Sequence, residues 1–256
     1  MNILLTNDDG IKSRGLEALK DALIKANHNV IIVAPVDNQS GCSHRMHFYK
    51  KLRLTKLVER ENLIEYSLDG SPSDCVKLAV TNLFKDKIDL VISGVNDLPN
   101  SGTDLLYSGT FNGAFEGTFN GIKSIALSAT NIEYTNSAVD FLLKNLDVIY
   151  NEFFEKNYTI NINVPNYLDK VKGIKICPVG QKKYTVLYKV FETDNLNQKD
   201  YFLYGEEIFL PHNTTGCDVN MLNDGYITIT PTRLEIVNNY EYCNKLKEIK
   251  LKWEFV

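Results

Sequence analysis

The sequence predicts an α/β fold in which helices cover both faces of a doubly wound parallel sheet. Three short runs are apolar at every position, at residues 3–5, 30–34 and 90–92. Strands of this kind are buried on both sides, as in the centre of a parallel sheet. Helical patterns separate the runs, and each run leads into a polar loop that contains glycine. In such a fold, functional groups gather beyond the carboxyl ends of the strands.

The first two strands and the helix between them form a βαβ unit, whose crossover is expected to be right-handed. Ser13 suits the helix N-cap, because its side chain accepts from free backbone N–H groups. The apolar residues of this helix recur at helical spacing, namely Leu16, Leu19, Leu23 and Ala26. The helix is expected to end at Asn27 and His28. A polar loop at 35–47 follows, and the alternating pattern of 48–68 predicts a hairpin.

Three more helices and three more strands complete the predicted core. Ser71 and Pro72 fit the N-cap and the first position of the next helix. Its predicted buried face consists of Val76, Ala79, Val80 and Leu83. Cys75 lies on the same side and is interpreted as a small core residue. The remaining predicted elements are a strand at 88–94, a helix that opens at 107–110, a strand at 123–129, a helix at 138–150 and a strand at 159–164.

The last third of the chain is β-rich, with interleaved tyrosine and phenylalanine. Strands are predicted at 173–179, 185–192, 201–209 and 226–231, and a terminal helix is predicted at 240–250. Long connections and exposed aromatic residues are typical of arms that pair with a neighbouring subunit. We therefore divide the chain into an α/β core, residues 1–165, and a β-rich C-terminal portion, residues 166–256, that completes the same domain and carries an arm involved in oligomerisation.

Composition and charge argue against several classes of protein. The 256-residue chain has a net charge of −4, and binding to a nucleic-acid polymer needs a positive field. No segment approaches the roughly 18 apolar residues of a membrane-spanning helix, and no basic-then-apolar leader is visible. Five widely spaced cysteines, without a Cys-x-x-Cys pair, are typical of a reducing compartment. We expect a cytoplasmic protein with neither a membrane nor a nucleic-acid polymer as partner.

The loops after the strands share one kind of chemistry. They offer carboxylate, amide and hydroxyl oxygens from Asp8, Asp9, Asn38, Ser40, Asn96, Asn100, Ser108 and Thr110. Because neither histidine nor cysteine clusters with them, the set suits Mg²⁺, Mn²⁺ or Ca²⁺ better than zinc. Gly10 permits a tight turn after the two aspartates. Taken alone, the opening motif fits equally well an Asx-rich turn that leads into the next helix.

A candidate anion site adjoins these oxygens. Ser108, Gly109 and Thr110 open a predicted helix, where free N–H groups and the helix dipole favour phosphate. A metal beside a phosphate site, in a sequence without a P-loop lysine motif or a dinucleotide-binding glycine motif, indicates phosphate-ester hydrolysis. Asp8 or Asp9 would then orient the attacking water or take its proton.

Simpler interpretations remain open for each part of this site. Ser108 could be only a helix N-cap, and the asparagines could satisfy their own backbone. Ser40 with its following glycine could form an ordinary turn. His44 and His47 have the spacing of a metal pair, but no helical pattern brings them to one face.

Six sequence blocks, in order along the chain, resemble the SurE family, the survival-protein nucleotidases. They are Asn-Asp-Asp-Gly at 7–10, Gln-Ser-Gly at 39–41, Gly-Ser-Pro-Ser-Asp-Cys-Val at 70–76, Ser-Gly-Val-Asn at 93–96 with Tyr-Ser-Gly-Thr at 107–110, Asn-Val-Pro-Asn at 163–166, and the run at 224–231. The resemblance implies a Rossmann-like three-layer α/β/α core. It also implies a C-terminal arm exchanged in a homodimer, which in some members assembles further into a homotetramer.

The resemblance further implies a metal-dependent 5′/3′-nucleotidase that removes phosphate from nucleoside monophosphates, with some activity on short polyphosphate. One divalent cation per subunit, Mg²⁺ or Mn²⁺ with Ca²⁺ as another occupant, would be held by Asp8, Asp9, Ser40 and Asn96. The candidate phosphate and substrate contacts are Asn38, Gly41, Asn100, Ser108, Gly109 and Thr110.

The chain departs from the family pattern in the loop after the third apolar run. Where the family has Asn-x-Gly-x-Asn, Leu98 replaces the glycine and Asp97 adds a negative charge. Two other functions are considered beside the nucleotidase. A phosphatase of the aspartyl-phosphate type would need Asp-x-Asp, whereas Asp8 and Asp9 are adjacent. A non-catalytic nucleotide-sensing module would bind nucleotides at the same loops without cleaving them.

Overall fold

A computed structural model of the chain describes residues 1–131, 133, 135–165, 171–193, 197–208, 210 and 215–233. In these residues the helices are α1 (Arg14–Lys25), α2 (Pro72–Leu78), α3 (Gly109–Phe119), α4 (Thr135–Glu152) and α5 (Asp218–Asn223). The strands are β1 (Asn2–Thr6), β2 (Asn29–Pro35), β3 (Leu54–Arg60), β4 (Leu63–Leu68), β5 (Leu90–Asn96), β6 (Lys123–Ala129), β7 (Thr159–Val164), β8 (Ile174–Ile176), β9 (Lys183–Tyr184), β10 (Leu187–Glu192), β11 (Lys199–Tyr204), β12 (Glu207–Ile208) and β13 (Ile227–Thr232).

Nine strands form the central sheet, in the order β3-β4-β2-β1-β5-β6-β7-β13-β8. Strands β4, β2, β1, β5, β6 and β7 are parallel to one another, and β3 and β13 pair antiparallel to β4 and β7. The chain builds the sheet outward from β1 in one direction and then, from β5 onward, in the other. The topological switch point therefore lies between β1 and β5, where ligands bind in open α/β sheets.

Strand β1 shows why an uninterrupted apolar run is needed at the centre. Ile3 and Leu5 pack into the larger core cluster with α1 and α4, whereas Leu4 packs into a second cluster with α2. All three side chains are fully buried. Because successive side chains of a strand point to opposite faces, helical layers cover both faces of the sheet. The predicted α/β fold class is confirmed.

The helix caps match the predicted positions. Ser13 accepts a hydrogen bond from the N–H of Leu16 at 3.2 Å and caps α1. Ser71 accepts from the N–H of Asp74 at 3.1 Å, and the carboxylate of Asp74 accepts in return from the N–H of Ser71 at 2.9 Å. This capping box fixes the start of α2, which continues as a π-helical turn, Ala79–Leu83.

The predicted buried face of α2 is correct for Val76, Ala79 and Val80, and Cys75 is buried as expected. Leu83 is only partly buried, because it lies at the end of the π-helical turn and packs at the margin of the second cluster. The predicted hairpin at 48–68 is present as β3 and β4, which pair antiparallel at the edge of the sheet.

The C-terminal portion is β-rich, as the pattern predicts. Strands β13 and β8 extend the central sheet beside β7, so this portion contributes to the same sheet as the core. Strands β10 and β11 form a separate antiparallel hairpin with exposed side chains throughout. The predicted terminal helix at 240–250 lies outside the described residues. None of the helices in the described part of the chain is long and apolar enough to cross a membrane.

Candidate active site

A cavity of about 240 Å³ opens at the carboxyl ends of β1 and β5, at the topological switch point. Six of the predicted site residues line it: Asp8, Ser40, Gly41, Asn96, Asn100 and Ser108. The structure thus brings together residues from three separate connections, those that follow β1, β2 and β5. The other residues that line the cavity are Asp97, Leu98, Pro99, Asp104 and Tyr107. Four predicted residues, Asp9, Asn38, Gly109 and Thr110, do not line the cavity.

Asn7 shapes the turn that presents the two aspartates. Its side-chain amide donates to the carbonyl of Gly10 at 3.1 Å and to the hydroxyl of Ser13 at 2.6 Å, while its oxygen accepts from the N–H of Gly10 at 3.2 Å. Gly10 has a φ of 98°, which other residues rarely adopt. The turn interpretation is therefore correct for Asn7, whereas Asp8 faces the cavity and its role as a metal ligand stays a prediction.

Asp8 is packed against the start of α3. Its carboxylate accepts a hydrogen bond from the hydroxyl of Thr110, and only 4% of the residue is exposed. Burial raises the pKa of Asp8, while the Thr110 hydroxyl and the backbone N–H groups of Thr110 and Gly109 oppose that rise. A Cβ on Gly109 would lie 2.7 Å from the Cβ of Asp8, so only glycine permits this approach. The start of α3 thus contacts the carboxyl group of Asp8.

Asp9 lies among other negative charges. Burial, followed by the charges of Asp8 and Asp97, raises the pKa of Asp9 to about 7. No lysine or arginine is among the described residues that line the cavity. The loop after β1 and the loop after β5 therefore concentrate uncompensated carboxylates at one point, an arrangement that attracts a cation.

The loop that carries Ser40 is anchored close to its start. The N–H of Gln39 donates to the carbonyl of Asp8 at 2.6 Å, and the N–H of Ser40 donates to the side chain of Asn38 at 2.9 Å. Asn38 is exposed and shapes the turn of this loop, whereas Ser40 lines the cavity. The ordinary-turn interpretation therefore applies to Asn38, and the role of Ser40 as a metal ligand stays a prediction.

The far end of this loop is held by two histidine–carboxylate pairs. His44 contacts Glu116 at 2.7 Å, and His47 contacts Asp74 at 2.6 Å. The two histidines therefore bind carboxylates on different helices, and the structure does not bring them together as a metal pair. The sequence contained one signal for each anchor, a carboxylate within a predicted helix. These carboxylates are Asp74, near the start of α2, and Glu116, in α3.

Asn96 and Asn100 line the cavity and are held in place by hydrogen bonds. Asn96 donates its side-chain N–H to the carbonyl of Leu98 at 2.6 Å, which leaves its side-chain oxygen available. The backbone N–H of Asn100 donates to the side chain of Asn163 at 2.8 Å, and its carbonyl accepts from Asn161 at 2.8 Å. Sequence reasoning missed Asn161 and Asn163 as supports of the site. Their signal was the Asn-x-Asn alternation in an otherwise apolar strand.

Ser108 caps α3, because its hydroxyl accepts from the N–H of Phe111 at 2.9 Å. The same side chain lines the cavity. The N-cap interpretation is therefore correct for Ser108, and its contact with a phosphate stays a prediction.

The predicted metal ligands fit a hard divalent cation in their chemistry. Asp8 and Asp9 supply carboxylates, and Ser40 and Asn96 supply neutral oxygens at the same edge of the sheet. Across the described ranges, no group of three or more histidine, cysteine, aspartate or glutamate side chains is arranged to hold a metal ion. The predicted set differs from such groups, because half of its oxygens are uncharged.

The fold and the site together define a class of α/β protein. Proteins of this class have a doubly wound sheet with a negatively charged, oxygen-lined site at its switch point. Residues 3–186 match the family model described as Survival protein SurE, and the chain belongs to the SurE family.

Proteins similar over nearly their whole length support the same assignment. A protein named 5′-nucleotidase SurE from Clostridium botulinum (strain Eklund 17B / Type B) is 37% identical, with 97% of this chain and 99% of the relative covered. A second, of the same name, from Caldanaerobacter subterraneus subsp. tengcongensis is 34% identical, with 98% of each covered. The crystal structure of the SurE protein from Aquifex aeolicus has a TM-score of 0.78 and 35% identity, and covers 97% of this chain and 99% of its own.

Proposed function

We propose that the protein is a divalent-metal-dependent 5′-nucleotidase, a phosphomonoesterase that hydrolyses nucleoside monophosphates to nucleoside and phosphate. The observation that carries this proposal is the cavity at the switch point, which gathers Asp8, Ser40, Asn96 and Ser108 from the connections after β1, β2 and β5. Membership of the SurE family and full-length similarity to relatives named 5′-nucleotidase support it. The proposal extends to 3′-monophosphates and short polyphosphate as further substrates.

The cation would be held by Asp8, Asp9, Ser40 and Asn96. When bound, it would polarise a phosphoryl oxygen and lower the pKa of a bound water. The hydroxyl of Thr110 donates to the carboxylate of Asp8 and holds that carboxylate in one orientation. Asp8, which lines the cavity, or the less buried Asp9 would orient the attacking water or accept its proton.

Substrate phosphate is proposed to bind beside Gly41, Asn100 and Ser108, which line the cavity. Gly109 and Thr110 are proposed to support this set through Asp8, because the Thr110 hydroxyl and the backbone N–H groups at the start of α3 contact the carboxyl group of Asp8. Asn38 supports this set indirectly, by holding the backbone of Ser40. Mg²⁺ or Mn²⁺ is the proposed physiological cation, and Ca²⁺ fits the same oxygen set.

The experiment that tests the proposal is a phosphate-release screen with purified protein. It covers nucleoside 5′- and 3′-monophosphates and short polyphosphate, each with Mg²⁺, Mn²⁺ or Ca²⁺ and with EDTA. Hydrolysis that EDTA abolishes and a divalent cation restores is the expected result. The alternative, a nucleotide-sensing module, would show nucleotide-dependent thermal stabilisation without phosphate release. It is not favoured, since adjacent carboxylates repel a phosphate unless a cation intervenes.

We also propose that the chain forms a homodimer through its C-terminal arm, with a homotetramer as the larger assembly. The hairpin of β10 and β11 supports this, because large apolar side chains on both strands are exposed, among them Tyr201 at 63% and Phe202 at 62%. A clean monomer in light scattering at micromolar concentration would contradict it.

The proposed location is the cytoplasm. The four cysteines in the described part of the chain, Cys42, Cys75, Cys177 and Cys217, are free thiols, as a reducing compartment favours.

A further inference from the structure

Two large apolar side chains lie at the rim of the switch-point cavity. Leu98 is 64% exposed and Tyr107 is 67% exposed, and both line the cavity together with Asp8, Ser40 and Asn96. The site thus has two chemically different parts, an oxygen-rich floor and an apolar rim. Exposed apolar surface beside a polar cavity is typical of a binding site for a ligand that has a polar and an apolar part.

Both rim residues are fixed through their backbones. The carbonyl of Leu98 accepts from the side chain of Asn96 at 2.6 Å, and the carbonyl of Tyr107 accepts from the N–H of Ser43 at 3.0 Å. The N–H of Tyr107 donates to the carbonyl of Asp104 at 2.9 Å. Their positions relative to the predicted metal ligand Asn96 and to the Ser40 loop are therefore set by the fold, while their side chains remain open to solvent.

The size of the cavity indicates which part of a nucleotide it holds. Its volume of about 240 Å³ lies below the roughly 300–1,000 Å³ that is usual for pockets enclosing a whole ligand. We therefore expect the cavity to take the phosphate and its attached sugar, so that a planar base attached to that sugar would extend over the rim. The rim offers one aromatic ring and one branched aliphatic side chain, the groups on which bases stack and pack.

We propose that Leu98 and Tyr107 form the surface on which the nucleobase of the substrate packs. This inference rests on the proposed nucleotidase function and names the residues that make the enzyme prefer nucleotides to other phosphate monoesters.

The test compares adenosine 5′-monophosphate with ribose 5-phosphate, which carries the same phosphate and sugar without a base. The wild-type protein is expected to show a kcat/KM for the nucleotide at least about tenfold above that for ribose 5-phosphate, since one base–aromatic contact supplies an effect of that size. Tyr107→Ala should lower this selectivity ratio about tenfold, through KM and not kcat. Leu98→Ala should lower it in the same direction, and Tyr107→Phe, which keeps the ring, should restore it.

Tyr49→Ala is the matched control, because Tyr49 is a fully exposed tyrosine that does not line the cavity, and its ratio should match the wild-type ratio. Equal kcat/KM for the two substrates in the wild-type protein would overturn the inference and leave the phosphatase function standing. Hydrolysis of neither substrate would overturn the proposed function itself. A change in oligomeric state in Tyr107→Ala, with an unchanged selectivity ratio, would show that a second copy covers the rim, and would also overturn the inference.

Discussion

Asn163 on β7 holds the backbone of Asn100 with both ends of its side-chain amide. Its oxygen accepts from the N–H of Asn100 at 2.8 Å, and its nitrogen donates to the carbonyl of Asn100 at 2.9 Å. Both residues are buried, and the side chain of Asn100 donates in turn to Ser128 on β6 at 2.9 Å. Two strands thereby fix the loop that follows β5 and leads from Asn96 along the cavity.

Asn163→Ala is expected to lower the free energy of unfolding by about 2–3 kcal/mol. The substitution leaves the buried N–H of Asn100 unpaired and opens a small void, although the side chain of Asn161 still donates to the carbonyl of Asn100. Metal affinity should weaken as well, since the loop that carries Asn96 loses a support. Urea unfolding and calorimetric titration with Mn²⁺ measure the two effects. Asn151→Ala, at an exposed position on α4, is the control and should change stability by less than about 0.5 kcal/mol.

Gly109→Ala tests the close approach of α3 to Asp8. The new Cβ would lie 2.7 Å from the Cβ of Asp8 and 2.9 Å from the sulfur of Cys42, so the carboxylate must move. Phosphate release should fall by about 100-fold, because displacements near 1 Å at a reacting centre have effects of that order. Gly113→Ala is the control: it crowds Pro72 and Ser93 at 3.0 Å on the same helix, and should reduce stability more than it reduces metal affinity.

The central elements of the fold were predictable because their causes are local. The apolar run of β1 is buried on both faces, and Ser13, Ser71 and Ser108 each cap the helix that follows. These signals lie within a few residues of the structure they specify. The division of labour in the opening motif was not predictable, since it depends on Thr110 reaching Asp8 across 102 positions of the chain.

The supports of the site were missed for the same physical reason. Asn163 and Asn100 are 63 positions apart, and His47 and Asp74 are 27 apart. Such pairs form only once the order and register of the strands bring them together. Sequence spacing therefore indicated which residues carry oxygen donors, but not which residues hold those donors in place.

The metal assignment is tested most directly at Asp9. Asp9→Asn should lower phosphate release by about 100-fold or more if the cation supplies the main stabilisation of the transition state. Binding gives an independent measurement: Mn²⁺ at 100 times its dissociation constant should stabilise the wild-type protein by about 2.7 kcal/mol and the variant far less. Asp86→Asn, at an exposed aspartate before β5, is the control. Full activity in Asp9→Asn would show that the assignment is wrong.

The His47–Asp74 pair gives the stability a pH dependence of known sign. Burial opposes ionisation of Asp74, but the hydrogen bonds from His47 and Ser71 prevail and lower the pKa of Asp74 below its ordinary value of 3.8. A carboxyl with a lowered pKa stabilises the folded state above its ordinary pKa, and this stabilisation is lost as the pH falls through the lowered value.

Asp74→Asn should therefore reduce the free energy of unfolding at pH 7, and the difference from the wild-type protein should shrink as the pH falls below about 4. Urea unfolding at a series of pH values measures this. Asp69→Asn, which removes an exposed ion pair with Lys50 at 3.0 Å, should cost less than about 1 kcal/mol at pH 7. A difference for Asp74→Asn that stays constant down to pH 2 would contradict the assigned role.

Asp97→Asn tests the negative charge that the loop after β5 places near Asp9. The charge of Asp97 is one cause of the raised pKa of Asp9, so the two carboxylates interact. Removing it should weaken attraction for the cation and reduce repulsion of the substrate phosphate. The dissociation constant for Mn²⁺ should rise about twofold to fivefold, and KM at saturating metal should fall by a similar factor. Asp147→Asn, at an exposed position on α4, should change neither value. The predicted changes mean weaker binding of Mn²⁺ and tighter binding of the substrate. A general loss of structure would weaken the binding of both, so it would not produce this result.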